Sequence, residues 1–502
     1  MDICRRKFGA CILAGLVPRA LALPPRPKLL VLVVLEQVRR DYLDAVWGQL
    51  GSGGLRRLLD NGAYFPDCRH LAASYTSSSL ATLATGAWPA QHGIVADTWF
   101  DRAARKPVRA SSEALLATTL TAQIAAARDT RAYVISLDSV EAALFAGTSA
   151  ASLFWMGEQG NFVARGVAPD WLGDYNRLKP LENLHNASWL AVGAPPGAPP
   201  LRTLSFDPVH PQEFLNLYKA SPFAQSAQFE FLGELLGRER LGQGNTFDFV
   251  CLLAGSGALL GYETGASSPL MLQMMLQLDR HLEYLFGQLD RAPGAGSYDL
   301  VVAGAHGAPP EPPTNARPRM AVNGELLAQA IQQNLSARAS ARVERYLYPF
   351  LYLDTSTLLV PEPARQGAGR AALEQPAVAA YFTAGGECSI HDEFQERFRN
   401  SFHPRRAGDV MLAYQPEYIE DYGFDRGISY GSLYNYDIQT PLCFYGPQFR
   451  PGVYESPVQS VDLAPTLARA AGVGPPSSSS GRVLGEAFAG SAPEIPKEDK
   501  SK

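Results

Sequence analysis

Residues 29–44 read LLVLVVLEQVRRDYLD, and their first seven positions form a continuous run of Leu and Val. Such a run is typical of a strand that is buried on both faces of a parallel sheet. Glu36 follows the run directly, which places a carboxylate at the end of the predicted strand. Because the reactive groups of open α/β sheets lie at the carboxyl ends of their strands, Glu36 is a candidate site residue.

Apolar runs of the same kind recur at 132–135, 249–253 and 300–303. Helical patterns lie between them, and in residues 270–289 Leu and Met recur at three- and four-residue spacing. Strands that alternate with helices in this way favour an α/β fold with a doubly wound, mostly parallel central sheet.

The composition excludes several classes of protein. Of the 502 residues, 46% are hydrophobic and 19% are charged, which is too apolar for a disordered chain. The formal net charge of −5 argues against a nucleic-acid partner, since proteins of that class attract phosphates with basic surfaces. Beyond the N-terminal segment no apolar run approaches the roughly 20 residues that a membrane span needs, so we predict no membrane span.

The first 22 residues read as a secretory signal peptide. A basic cluster at 5–7 precedes an apolar run at 8–17, and Ala20-Leu21-Ala22 offers a small-x-small cleavage pattern. The alternative is a buried first helix. A signal peptide predicts that the mature protein is periplasmic or secreted.

We expect the rest of the chain to form one large domain, 23–490, followed by a disordered tail, 491–502. Within the domain, residues of about 155–235 lack clean strand periodicity and include the Pro/Gly connector GAPPGAPP at 193–200. We interpret this segment as a cap inserted over the sheet.

Four cysteines lie beyond the N-terminal segment, widely spaced and without a CxxC pair, which disfavours a cysteine zinc site. They are Cys68, Cys251, Cys388 and Cys443. They allow three disulfide pairings, and the sequence chooses neither among these nor between one disulfide and isolated buried thiols.

A longer motif lies in residues 63–101, AYFPDCRHLAASYTSSSLATLATGAWPAQHGIVADTWFD. The pattern T-x-x-x-x-A-T-x-x-T-G-x-x-P-x-x-H-G-I within it resembles the nucleophile segment of the alkaline phosphatase superfamily. The resembling branch has a threonine nucleophile and comprises the periplasmic phosphate-irrepressible phosphatases and the nucleotide pyrophosphatase/phosphodiesterases. Further segments resemble that branch in chain order, at 136–155, 401–418, 430–452 and 461–484. The resemblance implies an alkaline-phosphatase-like fold with Thr76 at the position of the nucleophile.

The resemblance also implies a particular chemistry. In this family two zinc ions are held by three Asp, three His and the nucleophilic Thr. A threonine hydroxyl attacks poorly until a metal stabilises its alkoxide, and the second metal holds the leaving oxygen.

Most of these ligands are replaced when the family's motifs are carried over onto this chain. The first Asp is Glu36, and the His of the D-H-G motif is kept as His306. The lost ligand positions are Ala258, Tyr262, Ala305 and Tyr430. What remains is a possible single metal site of Glu36, Thr76 and His306, so we expect no zinc or one zinc as cofactor.

The positions that bind phosphate in the family are changed as well. The Asn that donates to phosphate falls on Asp97, and the K-x-R of the threonine phosphomonoesterases falls on Asp138-Ser139-Val140. The positive charges at 138 and 140 are lost, and two carboxylates face the place of an anionic substrate. Asp97 and Asp138 are either solvated charges or groups that select a cationic or neutral ligand.

Two functions follow. The first is a pseudoenzyme that has lost two-zinc phosphoryl transfer. It would bind an unknown small ligand or protein partner in the cleft that serves as the active site in the family. The alternative is a metal-dependent hydrolase of phosphate mono- or diesters that uses Thr76 and a reduced, single-metal site, so whether the protein is an enzyme stays open. Metal-free hydrolysis of an uncharged ester is a third idea, and no Ser-His-Asp spacing supports it.

Several candidate residues have a structural alternative. Thr76 is either a nucleophile or an inherited residue at a helix N-terminus. Tyr262 and Tyr430 would fill the space of the lost ligands, and Glu263 is a possible substitute ligand.

Overall fold

The computed structural model of the protein describes residues 26–207, 209–309, 320–336, 341–416, 418–421 and 430–490. The expected signal peptide and the expected tail lie outside the described residues. The strands are β1 Leu29–Leu35, β2 Ala63–Arg69, β3 Thr98–Asp101, β4 Lys106–Arg109, β5 Thr130–Ser136, β6 Ser152–Met156, β7 Phe162–Arg165, β8 Ala187–Trp189, β9 Arg202–Leu204, β10 Phe247–Ala254, β11 Tyr298–Gly304, β12 Met320–Val322, β13 Arg342–Leu347, β14 Phe350–Asp354, β15 Val378–Thr383, β16 Val410–Tyr414, β17 Tyr418–Glu420, β18 Gln439–Tyr445, β19 Gly452–Val453 and β20 Val458–Gln459. The α-helices are α1 Arg40–Val46, α2 Leu55–Asn61, α3 Thr76–Thr85, α4 Pro89–His92, α5 Leu120–Ala125, α6 Ser139–Ala146, α7 Leu172–Leu178, α8 Pro211–Lys219, α9 Pro222–Arg238, α10 Ser256–Thr264, α11 Pro269–Leu289, α12 Gly324–Ser336, α13 Glu362–Leu373, α14 Glu393–Ser401, α15 Asn435–Ile438 and α16 Leu463–Ala471.

The central sheet has the strand order β19-β2-β18-β11-β1-β10-β5-β6-β7, and β20 also pairs with β2. The strand β1 pairs in parallel with β10 and β11, and the parallel pairing continues through β5 to β6. The strand β18 is antiparallel to both of its neighbours, and β7 is an antiparallel edge strand. The prediction of a mostly parallel α/β sheet is confirmed, and its four predicted strands are the adjacent strands β11, β1, β10 and β5.

Both faces of β1 are covered, which explains why its sequence is continuously apolar. Leu30, Leu32 and Val34 contribute to the core that includes α3, α5, α6 and α16. The alternate residues of the strand point to the opposite core, formed with α1, α2, α9 and α11. All seven side chains are buried, so the strand contributes apolar area to both layers at once.

The predicted helix at 270–289 is also confirmed, as α11. The Ser268 hydroxyl caps its first turn by accepting a hydrogen bond from the Leu270 amide at 3.2 Å. Its Met and Leu stripe, which includes Met274, Leu278 and Leu282, is buried in the core against the sheet.

The segment 155–235 divides between the sheet and the cleft. It completes β6 and supplies the edge strand β7, and α9 packs into the core beside α11. Side chains of α8, among them Glu213, Asn216 and Lys219, border the cleft at the carboxyl ends of the strands. The interpretation of the whole segment as a cap stays a prediction.

A second sheet, which the sequence pattern does not predict, has the strand order β13-β14-β16-β15. It is antiparallel throughout, and α12 and α13 pack against it. The alternative of isolated thiols holds for the cysteines, since Cys68, Cys251, Cys388 and Cys443 are all buried and free. None of the described helices is both long and apolar enough to cross a membrane.

Candidate functional site

The candidate site lies where three neighbouring strands end. Glu36 follows β1, Gly255 follows β10, and Ala305 and His306 follow β11. Backbone hydrogen bonds fix these ends to one another, because the Ala305 amide donates to the Leu35 carbonyl at 2.8 Å. Glu36, Ala305 and His306 therefore lie at the carboxyl ends of neighbouring strands, where the reactive groups of open α/β sheets are found.

Thr76 is the first residue of α3, and its hydroxyl lies between two rings. The Thr76 Oγ1 atom is 3.3 Å from His306 Nε2 and 2.8 Å from the Tyr430 hydroxyl. His306 Nδ1 is 2.9 Å from the Gly307 carbonyl, an acceptor, so Nδ1 carries the proton and Nε2 accepts from Thr76. Burial lowers the pKa of His306 to about 4, which leaves the imidazole neutral near pH 7.

The Tyr430 ring stacks on the His306 ring, with centroids 4.2 Å apart and planes 15° from parallel. Gly431, which follows, has a φ of 101°, and a Cβ on it would lie 2.5 Å from the Tyr75 ring. Asp437 fixes the backbone of Ser432, the residue after Gly431, because its Oδ2 accepts a hydrogen bond from the Ser432 amide at 2.8 Å. Burial raises the pKa of the Tyr430 phenol well above its ordinary value, so the phenol stays neutral.

Glu36 is buried, at 4% exposure, and faces the cleft. Its Oε1 atom has no hydrogen-bond partner among the residues that the structure describes. A Cβ on Gly255 would lie 3.2 Å from that atom, so the glycine leaves room beside the carboxyl group. Burial raises the pKa of Glu36 well above its ordinary value, and the negative groups of Glu141, Asp97 and Asp138 raise it further.

Asp97 caps the first turn of the helix that begins at Thr76. Its Oδ1 accepts a hydrogen bond from the Ser77 amide at 2.8 Å. Helix N-termini bind anions through such amides, so a carboxylate of the chain itself occupies a donor that could otherwise serve a phosphate. Burial raises the pKa of Asp97, while the contact with Ser77 opposes that shift.

Asp138 is the N-cap of α6, and its Oδ1 accepts from the amides of Val140 at 2.7 Å and Glu141 at 3.2 Å. The Val140 side chain is exposed and lines the cleft. The two substituted positions of the K-x-R motif thus build a helix start that carries no positive charge.

Glu141 is a half-buried residue of the cleft that the sequence analysis missed. Its Oε2 accepts from the Ser136 hydroxyl at 2.8 Å, and burial followed by the charge of Asp138 raises its pKa to about 7. The spacing of an N-cap Asp and a Glu three residues later is a helix-start signal that could have drawn attention to it. Lys219 lines the same wall, where its ammonium group donates to the Leu137 carbonyl at 2.9 Å.

The four positions of lost ligands lie around this centre. Ala258 and Tyr262 are on α10 and line the cleft with Tyr430, whereas Ala305 is fully buried in the core of the sheet. Glu263, the possible substitute ligand, forms a bidentate ion pair with Arg202 at 2.7 and 2.9 Å. The ion pair therefore engages both carboxylate oxygens of Glu263.

The cleft that these residues share has a volume of about 970 Å³. Its carboxyl groups exceed its cations, since Arg109 and Lys219 are the basic side chains that line it in the described part of the chain. The acidic side chains that line it are Glu36, Asp97, Asp138, Glu141, Glu213 and Glu263.

The residues present do not fit a two-zinc centre. Methyl groups stand at 258 and 305, and at 262 and 430 stand phenols, both with pKa values that burial raises. Within the described ranges, no group of three or more His, Cys, Asp and Glu side chains is placed to hold a metal ion. The unpaired Oε1 of Glu36 is the feature that suits a cation.

Comparison with known proteins agrees with this arrangement of strands. The family model described as type I phosphodiesterase / nucleotide pyrophosphatase matches residues 30–419. The chain belongs to this family. The match spans Glu36 at the end of β1, Thr76 at the start of α3 and His306 after β11.

Two proteins named as alkaline phosphatases are similar to the chain over most of its length. Alkaline phosphatase PhoV of Synechococcus elongatus is 25% identical over 95% of this chain and 96% of its own length. Alkaline phosphatase PafA of Elizabethkingia meningoseptica is 23% identical, with 92% of this chain and 94% of PafA covered.

Solved structures show the same fold. Wild-type PafA superposes with a TM-score of 0.79 at 22% identity, covering 93% of this chain and 99% of PafA. Murine ectonucleotide pyrophosphatase / phosphodiesterase 5 superposes with a TM-score of 0.54 at 14% identity, covering 89% and 95% of the two chains. The apolar runs of this chain therefore predicted the central sheet that the chain shares with these structures.

Proposed function

We propose that this protein has lost two-zinc phosphoryl transfer and uses the cleft of its fold for binding, as a pseudoenzyme. The observation that carries the proposal is the contact of Thr76 with two neutral rings. A threonine hydroxyl becomes a strong nucleophile beside a metal ion or an effective base. Here it accepts from the Tyr430 phenol and donates to an imidazole whose pKa is about 4.

The charge of the cleft supports the same proposal. Asp97 accepts the Ser77 amide at the helix start, and Asp138 stands where the threonine phosphomonoesterases carry a cation. A phosphate placed about 4 Å from an ionised Asp97 would be repelled by roughly 4 kcal/mol at an effective dielectric constant of 20. The charge of the cleft thus disfavours a phosphate ester, which is the substrate that the family's motif implies.

The proposed ligand is a small molecule or a protein segment that enters the cleft without a phosphate group. The N-terminal segment 1–22 supports a periplasmic or secreted location for this binding function.

The test is phosphoester hydrolysis by the mature protein with zinc supplied. Para-nitrophenyl phosphate reports the hydrolysis of monoesters, and bis-para-nitrophenyl phosphate reports that of diesters. The variants Thr76→Ala and His306→Ala are measured in parallel. We expect the wild-type protein and both variants to give the same background rate. A rate that falls in Thr76→Ala would overturn the proposal.

A second candidate is a single-metal hydrolase that uses Glu36, Thr76 and His306. The buried, unpaired Oε1 of Glu36 favours it, since a cation at that point would satisfy the carboxyl group. The discriminating result is one zinc per chain that His306→Ala removes, together with hydrolysis that depends on Thr76. Metal-free catalysis has less support, because the partner of His306 Nδ1 is the Gly307 carbonyl and not a carboxylate.

A further inference from the structure

Carboxyl groups occupy two walls of the cleft. Glu36 and Asp97 lie near Thr76, at the ends of β1 and beside the start of α3, whereas Asp138 and Glu141 lie at the start of α6. All four line the same cleft, and the negative charges of the other three act on Glu36. A ligand that enters this cleft meets both walls.

The α6 wall is already neutralised in part by an amine of the chain. The ammonium group of Lys219 donates to the Leu137 carbonyl at 2.9 Å, and its charge interacts with Asp138 and Glu141. This arrangement shows that the cleft accommodates an ammonium group beside carboxylates.

The wall of Glu36 and Asp97 has no such amine in the described part of the chain. Asp97 uses one oxygen to accept the Ser77 amide, and Glu36 Oε1 is buried with no donor. A buried acceptor without a donor is destabilising, so a ligand that brings N–H groups to this point gains a hydrogen bond there.

The spacing of the carboxyl groups selects the kind of cation. The described side chains include no group of three that converges on a point, as a metal ion would need. An organic ammonium group is larger and satisfies carboxylates one at a time through separate N–H donors. A quaternary ammonium group has no N–H and leaves Glu36 Oε1 unpaired.

We propose that the cleft binds an organic cation that carries a primary ammonium group, seated against Glu36 and Asp97. The inference rests on the proposed function, because a zinc centre would bring its own positive charge to the same carboxylate. The volume of about 970 Å³ leaves room for a hydrocarbon body, and Leu217, Leu259 and Tyr262 provide apolar surface for it.

The test is isothermal titration calorimetry of the mature protein with 2-phenylethylamine. Two probes of similar shape serve as controls: its N,N,N-trimethyl derivative, which has no N–H donor, and 3-phenylpropionate, which has the opposite charge. We expect saturable binding of the primary amine at one site, binding of the trimethyl derivative about tenfold weaker or worse, and no binding of the carboxylate.

Variants locate the site. Glu36→Gln keeps the shape of the side chain and removes the carboxyl group that would ionise against the bound ammonium group, and we expect it to weaken amine binding about tenfold or more. Asp97→Asn is a second variant that keeps an acceptor for the Ser77 amide, and it should weaken binding in the same direction. Asp60→Asn, at an exposed position of α2, is the matched control and should bind as the wild-type protein does.

Two results would overturn the inference. The first is that the amine does not bind to the folded protein. The second is that the amine and its trimethyl derivative bind with equal affinity, to the wild-type protein and to Glu36→Gln alike. Such a result, combined with no Thr76-dependent hydrolysis, would leave the proposed loss of activity standing. Hydrolysis that depends on Thr76 would instead overturn the proposed function, whatever the amine does.

Discussion

The hydroxyl of Tyr430 lies 2.8 Å from the Oγ1 atom of Thr76, within hydrogen-bond distance of the atom that would attack a phosphate in a family member with a working nucleophile. The phenol reaches this point because its ring lies flat on His306. The position that the family's motif gives to a histidine therefore holds a phenol that forms a hydrogen bond with the threonine.

The first prediction concerns this contact. Tyr430→Phe removes the hydroxyl and keeps the ring on His306, so it should lower the free energy of unfolding by about 0.5 to 1.5 kcal/mol. His306→Ala removes both its hydrogen bond to Thr76 and the ring on which Tyr430 stacks, so this variant should lower the free energy of unfolding further. Urea denaturation measures both, and an unchanged midpoint in Tyr430→Phe would show that the contact contributes nothing.

The second prediction concerns the lost ligands. Restoring them with Ala258→Asp, Tyr262→His, Ala305→Asp and Tyr430→His should produce zinc binding, because the backbone around them keeps the family's fold. Zinc content after gel filtration measures this, with the wild-type protein treated identically as the control. A folded quadruple variant without zinc would contradict the placement of the motifs on this chain.

The third prediction concerns the charge at the start of α3. Asp97→Asn keeps a side-chain oxygen for the Ser77 amide and removes the negative charge. The affinity for phenyl phosphate should rise about tenfold or more, because the repulsion is lost. Asp60→Asn, which changes net charge equally on the surface, should leave the affinity unchanged.

The fourth prediction concerns pH. The pKa of the half-buried Glu141 rises from 4.5 to about 7 on folding, chiefly because the carboxyl group loses contact with water. Between these values the folded protein binds more protons at Glu141 than the unfolded chain does, so its stabilising contribution is present below pH 4.5 and is lost as pH rises to about 7.

Glu141→Gln removes this contribution to the pH dependence. At pH 8 the variant should be more stable than the wild-type protein by roughly 1 to 3 kcal/mol, and near pH 4 the difference should shrink. Urea midpoints at several pH values measure it, with Glu182→Gln at an exposed position as control. Parallel curves for Glu141→Gln and wild type would refute the burial of an ionisable group there.

The parts of the fold that sequence predicts are those with a local signal. The run 29–35 is apolar throughout because both faces of β1 are covered, and α11 shows its buried stripe as a three- and four-residue period. The antiparallel sheet of β13 to β16 gave no such signal. The strands β13 and β14 form a local hairpin, but β16 pairs with β14 and β15 across residues distant in sequence.

The candidate site divides in the same way. Glu36, Thr76 and His306 were predicted because each follows a strand or begins a helix within a recognisable motif. The contact of Tyr430 with Thr76 joins residues 354 positions apart and depends on the ring orientation, which no local pattern encodes. Glu141 was missed because its importance comes from burial, which tertiary packing determines.

The most direct test of the account is zinc stoichiometry, measured by mass spectrometry on mature protein purified with zinc supplied and without chelator. The account predicts no stoichiometric zinc, because methyl groups and neutral phenols stand where the family's ligands would be. One or two zinc ions per chain, lost in His306→Ala and accompanied by hydrolysis that depends on Thr76, would contradict it.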